Sequence, residues 1–359
     1  LEKIPVHRFR YVFPWLFLSK AAKRKLELKG GSPLSLPLFF ALLFEKELSL
    51  IHTHVQHRLG GMARTVARLK GIPYVVSIHG GYFTLPQAQV DQMTQPFRGK
   101  PEWGKIFGAL LGSRRVLEDA DAIICVGQSE TDEMKRRFPE KPVHYLPNGV
   151  EVDRFSNADG ELFRKAYGFQ PLEKIVLCVS RIDYQKNQLG LVRAFAEFSE
   201  NHPAHRLVLI GPVTVEAYRD EIHAEIQRQE IESCVTMIEG LNPLDPLLPS
   251  AYRAAEIFVL PTVHEPFGMV ILEAWAAGLP VIANRVGGIP GFAEHEQTAL
   301  LADPNRPDEL VQYMNRLAGN VELRADLSRR AFGEAAHRYD WSKIIDRLIE
   351  IYEQVISGT

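Results

Sequence analysis

From residue 48 onward, short apolar runs recur along the chain, separated by stretches whose apolar residues fall three or four apart. The runs in the first half are "LSLIHTH" (48–54), "PYVVSIH" (73–79), "AIICVG" (122–127) and "VHYLP" (143–147). Between them lie "MARTVARLKG" (62–71), "FGALLGSRRVLEDA" (107–120) and "SETDEMKRRF" (129–138), each of helical length and spacing. Strands alternating with helices predict right-handed βαβ units on a parallel sheet. "PNGVEVDRFSNADG" (147–160) interrupts this rhythm with Pro, Asn, Gly and Asp and reads as the passage into a second unit. The alternation then restarts with "KIVLCVS" (174–180), "HRLVLIG" (205–211), "CVTMIEG" (234–240), "EIFVLP" (256–261), "PVIANR" (280–285) and "TALLADP" (298–304). The tail carries Ile344, Ile345, Leu348, Ile349, Ile351, Tyr352 and Ile356, a helix stripe with Asp340 as its cap. The pattern predicts an α/β chain with two doubly wound parallel-sheet domains, 1–150 and 151–339, and a tail helix over 340–359. Such proteins bind ligands outside the carboxyl ends of their strands, so those ends are where chemistry is sought.

Composition adds little to this picture. Forty-two Lys and Arg oppose 44 Asp and Glu, which gives no electrostatic case for nucleic acid. The charge is uneven, since residues 1–50 hold nine Lys/Arg against four Glu. Cys125, Cys178 and Cys234 each sit in or beside an apolar run and read as free thiols in a reducing, cytoplasmic compartment. No apolar run reaches the roughly 20 residues of a spanning helix.

Four groups of residues stand out at the strand ends. Arg181 follows one strand and Lys186 comes five residues later at a helix start, where free amides and the macrodipole favour an anion. The pair is either a polyanion site or a solvated surface pair. In "HEPFGMVILEAWAAG", Glu265 precedes a helix expected to begin near Pro266, and Gly268 leaves the amides of Phe267, Gly268 and Met269 approachable. On such a helix Glu273 would lie about 12 Å further on and about 80° round. Glu265 can be read as a helix-start carboxylate, but Glu273 sits in an apolar stretch that should not bury a lone carboxylate. In the first half, His79 closes a strand before Gly80 and Gly81 and is either a substrate contact or a packed histidine. His52 and His54 share one strand face with His57 beyond in a loop, a set too small and dispersed to predict a metal.

Taken together, "HTH" (52–54), "SIHGG" (77–81), "LPNGVEVDRF" (146–155), "SRIDYQKN" (180–187) and "EPFGMVILEAWAAGLPVIANRVGG" (265–288) resemble the family 4 retaining glycosyltransferases. The resemblance runs from about residue 48 to the end, and the two glutamates eight residues apart behind Glu-Pro-Phe-Gly are its most specific part. It implies the GT-B fold, with two Rossmann-like domains facing a cleft and the C-terminal helix crossing back to the first. It further implies that Arg181 and Lys186 hold the diphosphate of a nucleotide-sugar donor and stabilise the leaving group. Glu265 would contact the donor sugar, Glu273 the ribose, and the backbone from Phe267 through Gly268 and Met269 to Val270 would line the sugar and phosphates. His79 would stand at the reacting centre, with His54, Gly80 and Gly81 on the acceptor side. No metal and no cofactor beyond the donor is implied, and the acceptor would be a glycan, a lipid-linked glycan or a small molecule.

Three positions depart from the family pattern: Gly291 stands for its usual glutamate, and Glu296 and Ala299 for usual glycines. Altered contacts rather than lost chemistry are expected there. The strand, glycine-rich loop and helix that open the family have no counterpart in residues 1–33, so that piece is expected to be missing or divergent. Residues 8–29 mix Arg8, Arg10, Lys20, Lys23, Arg24, Lys25 and Lys29 with "YVFPWLFL", which reads either as a peripheral membrane contact at the inner face or as a solvated basic face. Two further readings compete with a transferase: a nucleotide-sugar-binding subunit that needs a partner, and a sugar-nucleotide epimerase.

Overall fold

A computed structural model of the chain describes residues 4–29, 32–79 and 98–358. The chain divides into two compact units, Leu1–Leu146 with Arg347–Thr359, and Pro147–Asp346.

The first unit carries a parallel sheet in the order β1 (Ile51–Thr53), β2 (Tyr74–Ile78), β3 (Ala122–Cys125), β4 (Val143–Tyr145). All of β2 and β3 is buried, as expected of strands covered on both faces. The helix His57–Lys70 packs onto this sheet through Ala63, Val66 and Ala67. It begins five residues before the periodicity of 62–71 suggests and takes in His57, which was expected in a loop. The stretch 107–120 is not one helix, because the helix Lys105–Leu110 ends and the chain turns through Leu111–Ser113. The Thr65 hydroxyl donates to the Leu111 carbonyl in that turn at 3.2 Å, while Val116 still reaches the core.

The second unit holds six parallel strands in the order β10 (Leu300–Ala302), β9 (Val281–Asn284), β8 (Ile257–Leu260), β5 (Lys174–Val179), β6 (His205–Ile210), β7 (Val235–Ile238). Alternation along β5 sends Ile175, Leu177 and Val179 into one apolar layer and Val176 and Cys178 into the other. From β5 the chain winds outward one way to β6 and β7; β8 then returns to the other side of β5 and winds on to β9 and β10. The carboxyl ends of β5 and β8 are therefore the topological switch point of this sheet, where a crevice opens in doubly wound folds.

Glu296, which replaces a glycine of the family pattern, keeps a backbone that glycine favours, with φ at 61°. Its carboxylate meets Arg316 at 2.5 Å, so the departure is accommodated locally. The last helix, Trp341–Ser357, starts in the second unit and from Arg347 belongs to the first. Asp340 caps it, accepting from the Ser342 amide at 2.9 Å. Among the described residues no helix is long and apolar enough to cross a membrane.

Candidate functional site

Three loops meet at the switch point, and backbone bonds fix them. After β5 the chain runs through Arg181 to a single turn, Tyr184–Lys186, begun by Asp183, whose carboxylate accepts from the Gln185 amide at 2.9 Å. The helix Gln188–Asn201 follows at once. After β8 the segment 261–268 is tied to that turn, since Val263 donates its amide to the Gln185 carbonyl at 2.9 Å. The buried Asn284, at the end of β9, donates to the carbonyls of Pro261 at 2.8 Å and Thr262 at 3.1 Å. The Gly288 amide donates to the Glu265 carbonyl at 2.8 Å. Gly287 lies so close to that carbonyl that any side chain there would collide with it, and its φ of 56° suits glycine. The backbone that carries Glu265 is thus held from two sides.

The geometry brings Lys186 and Glu265 together, with Nζ donating to Oε2 at 2.6 Å. Only 12% and 11% of these side chains is exposed, so each charge depends on the other. Glu265 is not at a helix start, as its sequence context suggested. The helix begins at Met269, because Gly268 has a φ of 106° that no helical residue adopts and Glu265 is bound back to Gly288. The 12 Å offset to Glu273, which assumed one continuous helix, falls with it. The amides of Met269 and Val270 lie in the first turn, where no intrahelical acceptor exists. Met269 is exposed, Val270 half-buried, and the ring of Phe267 is buried on Phe292 at 4.9 Å between centroids. Phe267 can offer a ligand only its backbone. Arg181 is half exposed and loosely held, 3.4 Å from Gln185 and 3.8 Å from Asp183. Beside this pair the His264 Nε2 is buried without a hydrogen-bond partner among the described residues. Burial depresses its pKa, more than the neighbouring Glu265 charge raises it.

Glu273 does have the partner that its apolar setting requires. Tyr252, from the helix Leu247–Ala254, donates its hydroxyl to Oε2 at 2.5 Å. Burial raises the pKa of Glu273, while Tyr252 and the charge of Arg154 act to lower it. Sequence reasoning passed over Tyr252 because "SAYRA" reads as a plain amphipathic helix. It also passed over Asn284 and Gly287, whose signals were a polar residue ending an apolar strand and a paired glycine.

In the first unit, His54 and His79 follow the adjacent strands β1 and β2. His54 Nδ1 lies 2.7 Å from His79 Nε2, so one ring must donate and the other accept. His52 lies against His54 with 4.2 Å between ring centroids and the rings tilted by 35°. Its two nitrogens meet the hydroxyls of Tyr352 at 2.5 Å and Ser77 at 2.7 Å. Burial lowers all three pKa values, that of His52 to about 4, with the neighbouring imidazoles adding to the shift of His52 and His79. Three neutral imidazoles are the result at neutral pH. Gly80 and Gly81 lie outside the described residues. Among the described residues no group of three or more His, Cys, Asp or Glu is arranged to hold a metal ion.

Comparison with known proteins bears on the family and the fold. The family model "Glycosyltransferase Family 4" matches residues 7–154, and "Glycosyl transferases group 1" matches residues 159–333. The D-inositol 3-phosphate glycosyltransferase of Saccharomonospora viridis is 29% identical over 86% of this chain and 70% of its own length. The glycosyltransferase MJ1607 of Methanocaldococcus jannaschii, described as uncharacterized, is 27% identical over 88% of this chain and 80% of its own. Among solved structures, Anabaena Alr3699/HepE in complex with UDP superposes with a TM-score of 0.71 at 21% identity, covering 89% of this chain and 82% of that one. Sucrose-phosphate synthase of Thermosynechococcus elongatus gives 0.67 at 22% identity, covering 95% and 80%. With one matched model on each unit and the GT-B fold shared with these structures, the chain belongs to the family 4 glycosyltransferases.

Proposed function

We propose that this glycosyltransferase moves a sugar from a nucleoside-diphosphate sugar to a glycan, glycolipid or small-molecule acceptor, retaining the anomeric configuration and using no metal ion. The observation that carries the reading is the Lys186–Glu265 pair, desolvated and fixed at the switch point of the second sheet. A diphosphate takes the lysine as its counter-ion, and a sugar hydroxyl takes the carboxylate as its acceptor. One ligand bearing both groups replaces a single internal ion pair with two external contacts. Arg181, loosely held nearby, forks the phosphate oxygens. Backbone amides of the segment from Phe267 to Val270 face the same anion.

Chemically, the cations stabilise negative charge as it develops on the departing diphosphate. That phosphate takes the acceptor's proton, and the acceptor oxygen attacks the face that the leaving group vacates. His79, neutral and hydrogen-bonded to His54, serves the acceptor side. Alr3699/HepE has been crystallised with UDP-glucose, which makes UDP-sugars the first donors to test. Several relatives are named D-inositol 3-phosphate glycosyltransferases, so phosphorylated polyols belong in the acceptor screen. Buried or half-buried free thiols fit the cytoplasm as the compartment.

The test is thermal-shift binding of UDP-, GDP- and ADP-sugars to the parent, Lys186→Ala and Glu273→Ala. One nucleotide series should raise the melting temperature of the parent and not of the variants. No shift with any series would rule out donor binding by this chain. Proton NMR of the first product formed, with and without a chelator, then tests retention and metal independence.

A further inference from the structure

Glu273 stands on a helix whose neighbouring residues Ile271, Leu272, Ala274, Trp275 and Ala276 are all buried. A carboxylate in such a place tends to take up a proton, because burial penalises its charge. Two groups oppose that tendency: the Tyr252 hydroxyl on Oε2, and Arg154, whose guanidinium donates to the Pro243 carbonyl in the loop that follows β7. Tyr252 is fully buried, with its ring edge-on to Phe155 at 5.3 Å and stacked on Phe258 at 5.5 Å. It cannot swing away without opening the core. Its pKa is raised well above the usual value, by burial first and by the Glu273 charge second, so it remains a donor at any working pH.

We propose that Tyr252 is a positioning residue for nucleoside recognition, making Glu273 an ionised, fixed acceptor selective for the vicinal diol of a ribose. By occupying Oε2 it fixes the carboxylate plane and leaves Oε1 to the ligand. By stabilising the anion it keeps the carboxylate acceptor-only, which two neighbouring hydroxyls require and a protonated carboxyl does not satisfy. The ligand class that follows is a ribonucleoside diphosphate, in preference to its deoxy counterpart. This inference rests on Glu273 being the ribose contact. Phe at position 252 would retain the ring packing and remove only the hydroxyl.

The experiment is calorimetric titration of the full chain with UDP and with 2′-deoxy-UDP (or the matched GDP or ADP pair if that base binds), at pH 6 and pH 8. The parent should prefer the ribonucleotide by about ten- to a hundredfold, the range of a hydrogen bond to a charged group. Glu273→Gln should abolish the preference. Tyr252→Phe should cut it several-fold, and more at pH 6 than at pH 8, because the carboxylate then protonates at a higher pH. Adding Tyr252→Phe to Glu273→Gln should change the ratio no further. A preference lost in Glu273→Gln but unaltered in Tyr252→Phe overturns the role of Tyr252 alone. A parent without preference, or one whose preference survives Glu273→Gln, overturns the ribose reading of Glu273 itself. If Tyr252→Phe is too unstable to titrate, 3-fluorotyrosine at 252 keeps the ring and strengthens the donor. The pH at which the preference fades should then move down, and an unmoved profile overturns the proposal.

Discussion

The two units each gather polar side chains at the carboxyl ends of parallel strands, but by opposite electrostatic means. In the second unit Lys186 and Glu265 are fully opposed charges held at 2.6 Å, on loops nailed down by Asn284 and Gly288. In the first unit His52, His54 and His79 are neutral rings held to one another and to hydroxyls. A charged pair taken out of water is costly to leave unpaired, so it suits a site that exchanges one set of charged partners for another. Neutral imidazoles are suited to hydroxyl groups, which they can meet as donor or acceptor at little desolvation cost. The difference fits the proposed roles, a donor side suited to anions and an acceptor side suited to alcohols.

The strongest way to break this comparison is at Lys186. Lys186→Met removes the charge proposed to stabilise the leaving diphosphate, and kcat should fall about 100- to 1000-fold, the usual loss for one such group. The same variant strands Glu265, only 11% exposed, and should lower stability by about 3–5 kcal/mol. Lys186→Met/Glu265→Gln should recover much of that stability and none of the activity. Denaturant titration of the three proteins checks it: a double variant no more stable than the single one would mean the pair is not desolvated.

His79 tests the other side. His79→Ala removes the neutral ring proposed to serve the acceptor side and should reduce turnover by about tenfold, the upper range of a neutral hydrogen bond, with donor affinity little changed. The histidines also predict a pH dependence of definite sign. Their folded pKa values lie below the ordinary 6.5, so the unfolded chain binds more protons as the pH falls. The stability they contribute is whole above about pH 6.5 and is lost on acidification, for His52 down to about pH 4. His52→Asn should flatten the fall in melting temperature across that window, and an unchanged slope would show that other groups govern it.

How much of this was legible beforehand follows from range. The ten strands among the described residues all lie inside the apolar runs read from the sequence, because a buried parallel strand writes its burial into consecutive residues. The residues at their ends, Lys186, Glu265 and His79, were legible as unusual types in that place. That Lys186 and Glu265 touch was not, since they are 79 residues apart and only the strand order β8-β5 brings their loops together. The helix start was misplaced because Pro266 is a strong local signal, and the bond from Gly288 that overrides it is not local. Tyr252 was invisible for a related reason, as its hydroxyl matters only once Glu273 is beside it.

Asn284 tests whether the loops around Lys186 and Glu265 owe their rigidity to buried bonds. It is 3% exposed, and its amide serves two carbonyls of the segment that carries Glu265. Asn284→Ala strands the Thr262 carbonyl, leaves Pro261 only the Asn187 amide at 3.2 Å, and should cost about 1–3 kcal/mol. Donor affinity should weaken in step, while Asn284→Asp, which has no donor to offer, should fare no better. A variant with full affinity would show that the bonds from Gly288, Val263 and Asn187 suffice to hold the loop.

The smallest effect is expected at Tyr352, and it sharpens the comparison most. Its hydroxyl meets His52 Nδ1 at 2.5 Å from the final helix, and both groups are half-buried. Tyr352→Phe removes one neutral hydrogen bond where water can enter, so the loss should be about 0.5–1.5 kcal/mol. His52 would keep Ser77 as its partner on Nε2, and donor affinity should not change at all. The histidine array should nevertheless respond, because Tyr352 helps fix which nitrogen of His52 carries the proton. Nitrogen-15 NMR of the imidazoles should show a changed tautomer balance at His52, with a smaller change at His54, whose ring lies against it. If the spectrum is unaltered while stability falls, Tyr352 only anchors the helix, and the neutral array owes its state to burial rather than to its hydroxyl partners.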